Sequence, residues 1–424
     1  MAASPMGMYV DKLSYEIFSL LESKFLFGAG GCLSSGAGTP ARPFFDGRVR
    51  VLAIDGCGSG AEDALLAAAA LARLEAGLRQ RAGDPDARVA DFFDVAAGAG
   101  AGGVLAAMLF LRGADGRPKY TAEEALEFVA GSVGRDWGGR RGRWAKLFRG
   151  GARRAERSFR RLFGDATLKD TVAPLLVPCY DLATAAPFLF SRADAVESDG
   201  FDFTIRDVCA ATCAAGGAAA AVKSVDGRTA IAAASGAVAA MGNPAAAAIT
   251  HVLHNKQEFP LVTSVDDLLV LSIGTGASSS GSGGNTPMPT RSPSPRELAR
   301  VTAEGVTDMV DESVALAFGH TSGTNYVRIQ ASKTATALHA ETAAATAGAM
   351  LSQRNVESAL FRGRRLSKST NAEKVDAVAA ELVNEQERRS HSPLPNVVIK
   401  QVSTPRLSTG SSGTASPASY GSHQ

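Results

Sequence analysis

The segment Asp91–Arg112, DFFDVAAGAGAGGVLAAMLFLR, leaves the backbone few choices. Phe92, Phe93 and Val95 form a short aromatic and β-branched run, Gly98, Gly100, Gly102 and Gly103 follow, and an uncharged stretch of Leu, Ala and Met resumes. Bulky side chains of the first kind suit a pleated strand, glycines permit a sharp reversal, and Leu, Ala and Met favour a helix. The segment therefore predicts strand, tight turn and helix. A similar unit precedes it: VRVLAI at 49–54, the Gly-rich DGCGSGA at 55–61, and helix formers over 62–81. Two such units in succession call for parallel strands joined by crossover helices. Further strands are expected at 188–191, 219–225, 268–273 and 326–330, which makes the fold class α/β.

The 424 residues suffice for one large domain with appendages or for two smaller ones, and a hydrophobic content of 45% supplies a core. A net charge of +2 sets up no global field for nucleic acid, so any anionic partner must be met locally. The five cysteines, Cys32, Cys57, Cys179, Cys209 and Cys213, are odd in number and lack CxxC spacing. That argues against a disulfide framework and a zinc site, and for a reducing, cytoplasmic home. No metal or cofactor is expected. The first residues, MAASPMGMYVDKLSYEIF, show no basic stretch followed by an apolar one, so no secretory signal is read. Residues 230–250 are uncharged but mostly Ala, with Asn243 and Pro244 inside them; a buried, tightly packed segment is expected rather than a membrane span.

Along the chain, residues 9–27 place Val10, Leu13, Ile17, Leu20, Leu21 and Phe25 at helical spacing, and a Gly-rich connector leads to position 48. Residues 140–163, RRGRWAKLFRGGARRAERSFRRLF, interleave arginines with Trp144, Phe148, Phe159 and Phe163. Two readings stand: a membrane-surface segment with Trp144, Lys146, Phe148 and Arg149 as contacts, or a solvated helical face packed by its aromatics. Residues 277–295 are Ser, Gly and Pro-rich and read as a flexible loop, 296–318 as a helix, 331–403 as an Ala-rich helical segment, and 404–424 as a disordered tail.

The turn at Gly98–Gly102 has the spacing of a nucleophile elbow, GxSxG, in which a strained strand-to-helix turn lifts a Ser hydroxyl clear of the sheet. Here it reads GxGxG. The strand and loop LAIDGCGSGA, the elbow DVAAGAGAGG, and the blocks FGDATLKDTVAPLLVPCYDLATAAPFLFSRADA, VKSVDGRT, NPAAAAITHVLHNKQEFP, LLVLSIGTG and NYVRIQ occur in this order between 49 and 330. Together they resemble the patatin-like lipid acyl hydrolases, in particular the plant group whose elbow reads GxGxG. The resemblance implies a mostly parallel central sheet sandwiched by helices and hydrolysis of acyl esters in phospholipids and galactolipids at a membrane surface. It also implies a Ser/Asp dyad and an oxyanion loop of backbone amides.

Carried onto this chain, the oxyanion loop falls on Gly56, Cys57 and Gly58, the nucleophile position on Gly100 and the acid position on Ser235. Both dyad side chains are thus absent, and Cys57 stands where the motif has Gly. An atypical hydrolase and a catalytically inactive lipid-binding scaffold are the two readings. As replacement groups, Cys57 and Ser59 lack a neighbouring base, Asp226 reads as a hairpin turn, and His251 and His254 read as packing or surface residues. Nucleotide binding at GxGxxG is the weakest alternative, since the acidic ribose partner is missing.

Overall fold

Strand β1 (Val49–Ile54) runs through the middle of the sheet and sends alternate side chains to opposite layers. Leu52 and Ile54 join one core, with Leu65, Leu71, Leu105, Phe110 and Leu382 among its members. Val49, Val51 and Ala53 join the other, with Ala248, Val252, Val314 and Phe318. Both faces of the strand are covered, which is why VRVLAI is apolar nearly throughout.

The computed structural model describes residues 47–56, 62–133, 152–214, 220–235, 242–275, 277–278, 292, 294–333, 343–359, 363–392, 395 and 397–400. The strands are β2 (Val95–Gly98), β3 (Leu175–Asp181), β4 (Ala186–Ser191), β5 (Ala220–Lys223), β6 (Ala230–Ser235), β7 (Leu268–Ile273), β8 (Ala277–Ser278), β9 (Tyr326–Ile329), β10 (Ser332–Lys333), β11 (Arg354–Ala359) and β12 (Gly363–Thr370). The main sheet runs β5-β6-β3-β2-β1-β7-β9, with β4 added to β3. β3, β2, β1, β7 and β9 are mutually parallel, while β4, β5 and β6 are antiparallel to their neighbours.

The helices are α1 (Glu62–Ala82), α2 (Gly100–Phe110), α3 (Ala122–Val133), α4 (Ala152–Phe163), α5 (Arg192–Glu197), α6 (Ile205–Thr212), α7 (Ala245–His254), α8 (Pro295–Phe318), α9 (Ala343–Ser352) and α10 (Asn371–Ser390). α2 is buried along its whole length, consistent with a sequence that carries no charge. The architecture is the expected α/β sandwich. No helix among the described residues is long and apolar enough to cross a membrane. The uncharged stretch 230–250 divides into β6 and α7.

α10 closes the sheet at the end where the parallel strands begin. Arg48 pairs with Glu381 and Glu385, and the carboxylate of Glu385 is fully buried. Arg50 and Arg389 grip Asp94 from two sides, at 3.2 Å and 2.7 Å. Burial alone would raise the Asp94 carboxyl, but the two guanidinium groups outweigh it and hold it at about 2.

Two expectations are refined. In α4, Phe159 and Phe163 are buried in the first core and Arg160 and Arg161 are exposed, so this part of the basic segment is a solvated face packed by its aromatics. Trp144, Lys146, Phe148 and Arg149 lie outside the described residues, as do the helix expected at 9–27 and the tail at 404–424. The segment after residue 331 is helical over α9 and α10, but between them β11 and β12 form an antiparallel hairpin that the sequence reading does not contain.

Candidate active site

At the opposite end of the sheet, β2 finishes at Gly98, Ala99 is extended, and Gly100 turns into α2 with a φ of +51°. This is the elbow that the sequence predicts. Its glycines have unequal roles, read from what an added Cβ would meet. At Gly98 it would lie 2.4 Å from the Gly102 carbonyl oxygen, at Gly102 2.4 Å from that of Ile54, and at Gly56 1.8 Å from that of Ala99. Those positions exclude any side chain because backbone passes against backbone. At Gly100 the nearest atom is the Gly56 carbonyl oxygen at 3.3 Å, so a side chain there is strained by the positive φ and needs the Gly56 backbone to yield only by a few tenths of an ångström. Close packing of this kind also accounts for the glycine spacing without a nucleotide.

The Gly100 amide donates to the Thr212 hydroxyl oxygen at 2.9 Å, and that hydroxyl donates to the Pro178 carbonyl at 2.9 Å. Thr212 is fully buried and thus ties the elbow to β3. β3 offers a gap for this purpose. Along one of its edges β2 pairs as far as Leu176 and β6 begins to pair at Cys179, opposite Ser235. The ends of β2 and β6 therefore approach each other head-on, separated by three residues of β3, about 10 Å. Gly100 and Ser235 share one end of the sheet as a result.

The β1 loop closes the same end. The Asp55 amide donates to the Ile273 carbonyl at 2.9 Å and the Gly56 amide to the Gly242 carbonyl at 3.0 Å. The Gly56 N–H is thereby engaged within the fold. Cys57 and Gly58, the other members of the expected oxyanion loop, lie outside the described residues.

Beneath the loop sits a buried charge network. Arg328 on β9 holds Asp55 through two guanidinium nitrogens, Nη1 at 3.0 Å, and donates to the Ser272 hydroxyl at 2.7 Å. Asp311 on α8 lies 3.8 Å from Arg328 and accepts from the Tyr326 hydroxyl at 2.6 Å. Burial pushes the Asp55 carboxyl up, to about 6, against the pull of Arg328. NYVRIQ marks this strand in the sequence, and a charged residue between Val327 and Ile329 was the available signal for a buried partner; the sequence reading gave Arg328 no role. Thr212 had no signal at all.

Of the alternative groups, Cys57 and Ser59 lie outside the described residues. Cys179, Cys209 and Cys213 are buried free thiols, and burial pushes Cys179 up to about 12 and the other two above their usual range. They are held as neutral thiols, not as nucleophiles. Asp226 is a turn residue between β5 and β6, accepting from the Ser224 hydroxyl and the Arg228 amide. His251 stacks edge-on against Phe259 and lies 3.9 Å from Glu258. No acidic, His and Cys group able to hold a metal occurs among the described residues.

A family profile described as Patatin-like phospholipase matches residues 52–249, from β1 into α7. Patatin-like protein 3 of Oryza sativa subsp. indica is 54% identical over 403 residues, spanning 90% of this chain and 93% of the rice protein. The chain belongs to the patatin-like family. Patatin-like protein 7 of Arabidopsis thaliana is 43% identical, over 92% of this chain and 84% of its own length. A third patatin-like relative, named probable inactive patatin-like protein 9 of Arabidopsis thaliana, is 40% identical over 89% of this chain and 94% of its own. The family as a whole is one of lipolytic acyl hydrolases.

Proposed function

We propose that this chain is a lipolytic acyl hydrolase of membrane phospholipids and galactolipids, with a slow, atypical centre at Gly100 and Ser235 and a peripheral, cytoplasmic association with the membrane. The observation that supports this reading is the elbow: Gly100 turns from β2 into α2 with its amide held by Thr212, and of the glycines Gly56, Gly98, Gly100 and Gly102 it alone would bring an added Cβ no closer than 3.3 Å to another atom. Hydrolysis adds water to the acyl carbonyl carbon, breaks its bond to the glycerol oxygen, and delivers the proton to the departing alkoxide. Without a side chain at Gly100, water itself is the attacking group. The rate then depends on substrate positioning and on stabilisation of the charge that develops on the carbonyl oxygen. Hydrolases stripped of their reacting groups retain roughly 10³–10⁴-fold acceleration over water, so weak turnover is the expectation.

The test is fatty acid release from phosphatidylcholine and monogalactosyldiacylglycerol vesicles. Release above that of heat-inactivated protein supports the reading, and none overturns it. A second reading, an inactive lipid-binding scaffold, is favoured by the neutral buried thiols and the absence of a reactive side chain at position 100. It predicts flotation with vesicles and no fatty acid.

A further inference from the structure

The hairpin β11–β12 is rooted at the same end of the sheet as Gly100. Its first strand is tied to Gln330, just past β9, by the Val356 amide on the Gln330 carbonyl at 2.9 Å and by the Gln330 amide on Asn355 Oδ1 at 2.7 Å. Its second strand ends at Thr370, and the Asn371 amide returns to the Gln353 carbonyl at 2.9 Å. Ile329, immediately before Gln330, is level with Ile273, and Ile273 is level with Ile54. β9 lies two strands from β1, about 10 Å across the sheet. Both ends of the hairpin are therefore held at the edge that carries the candidate site.

The two faces of this hairpin differ. On one, Arg365 is opposite Glu357, which it meets at 3.1 Å, and Lys374 of α10 meets Glu357 at 3.0 Å, so charge is matched there. On the other, strand alternation puts Leu366 and Lys368 side by side on β12. Leu366 pairs with Val356; Val356 is buried at the root, whereas Leu366 is 62% exposed. Lys368 is exposed and has no ion-pair partner among the described residues. The residues joining the strands are Leu360, Phe361 and Arg362. From 354 to 370 there are five basic residues, Arg354, Arg362, Arg364, Arg365 and Lys368, and Glu357 is the one acid.

We propose that this face of the β11–β12 hairpin contacts an anionic lipid surface, with Leu366 entering the headgroup boundary and Lys368 meeting a lipid phosphate. The inference rests on the lipid-hydrolase reading for its partner. It adds a contact element that the sequence analysis assigned instead to Trp144, Lys146, Phe148 and Arg149. An exposed apolar side chain beside a cation, on a hairpin whose sequence holds five basic residues to one acid, is the pattern that suits such a boundary, and its position presents the site's edge to the bilayer.

The experiment is flotation of the full-length protein with vesicles of phosphatidylcholine alone or mixed with phosphatidylserine. Four proteins are compared: wild type, Leu366→Ser/Lys368→Glu, Lys368→Gln, and Lys146→Glu/Arg149→Glu, each checked for an unchanged circular dichroism melt. The hairpin variant is expected to lose about tenfold or more in partitioning onto phosphatidylserine vesicles, with the wild-type interaction weakened by salt. Lys368→Gln alone should lose a few-fold. Unchanged partitioning of the hairpin variants overturns the proposal, as does a loss confined to the Lys146/Arg149 variant or to binding of a duplex RNA. Hydrolysis of a water-soluble short-chain ester, read in parallel, reports on the catalytic proposal independently of vesicle binding.

Discussion

Gly100 and Gly56 face each other across the elbow, yet they respond differently to substitution. A Cβ at Gly56 would overlap the Ala99 carbonyl, whereas one at Gly100 meets only the 3.3 Å approach of the Gly56 oxygen. Gly100→Ser is expected to cost about 1–2 kcal/mol, the strain of a side chain at positive φ, and to leave the fold intact. Gly56→Ala should cost more than about 3 kcal/mol, because two backbone segments must separate. Urea denaturation of the two variants checks the contrast. Thr212→Val would leave the Gly100 amide buried without an acceptor, a loss of about 1–3 kcal/mol, while Thr212→Ser should restore most of it; chemical unfolding resolves the difference. At this scale the sequence revealed the elbow, because glycine spacing reports backbone approach directly. It did not reveal Thr212 or the Asp55–Arg328 pair, whose partners are 112 and 273 residues apart in the chain.

Among the elements, those with unbroken apolar or periodic patterns were legible. β1, β7 and the helices α1 and α8 fall where the sequence puts them, to within a residue or so. β3 was not, and Pro178 is the reason: proline inside LLVPCYD argues against a central strand. The fold tolerates it because Pro178 sits at the gap between β2 and β6, where no neighbouring strand requires an N–H and its carbonyl accepts from Thr212 instead. The β11–β12 hairpin was masked by flanking Ala-rich helices and by strands containing Glu, Arg, Ser and Lys. α10 acts as an electrostatic clasp on the far end of the sheet, and its pH response follows from Asp94. The Asp94 carboxyl is depressed to about 2 in the fold. The stabilisation is therefore complete above the unfolded value near pH 4 and is lost as pH falls toward 2. The shift corresponds to about 2 kcal/mol. Asp94→Asn should flatten the dependence of the urea midpoint between pH 5 and pH 2 by that amount; an unchanged slope would mean that Asp94 is not held by Arg50 and Arg389.

Across the whole molecule, the sheet separates two tasks. Its starting end is locked by ion pairs to α10, and its finishing end gathers the β1 loop, the elbow, the end of β6 and the root of the basic hairpin. Open α/β sheets place their ligand sites at that finishing end, and Gly56, Gly100 and Ser235, which the family resemblance singles out, lie there. What motifs could not supply was the state of the chemistry, since a missing hydroxyl leaves the surrounding backbone unchanged. The central claim, that this framework still fits an ester and lacks only its reacting groups, is tested most directly by fatty acid release from phosphatidylcholine vesicles by wild type and Gly100→Ser/Ser235→Asp. The rebuilt pair should exceed wild type by at least about 10²-fold, given what nucleophile and base contribute in related chemistry. A folded double variant no faster than wild type would contradict the account.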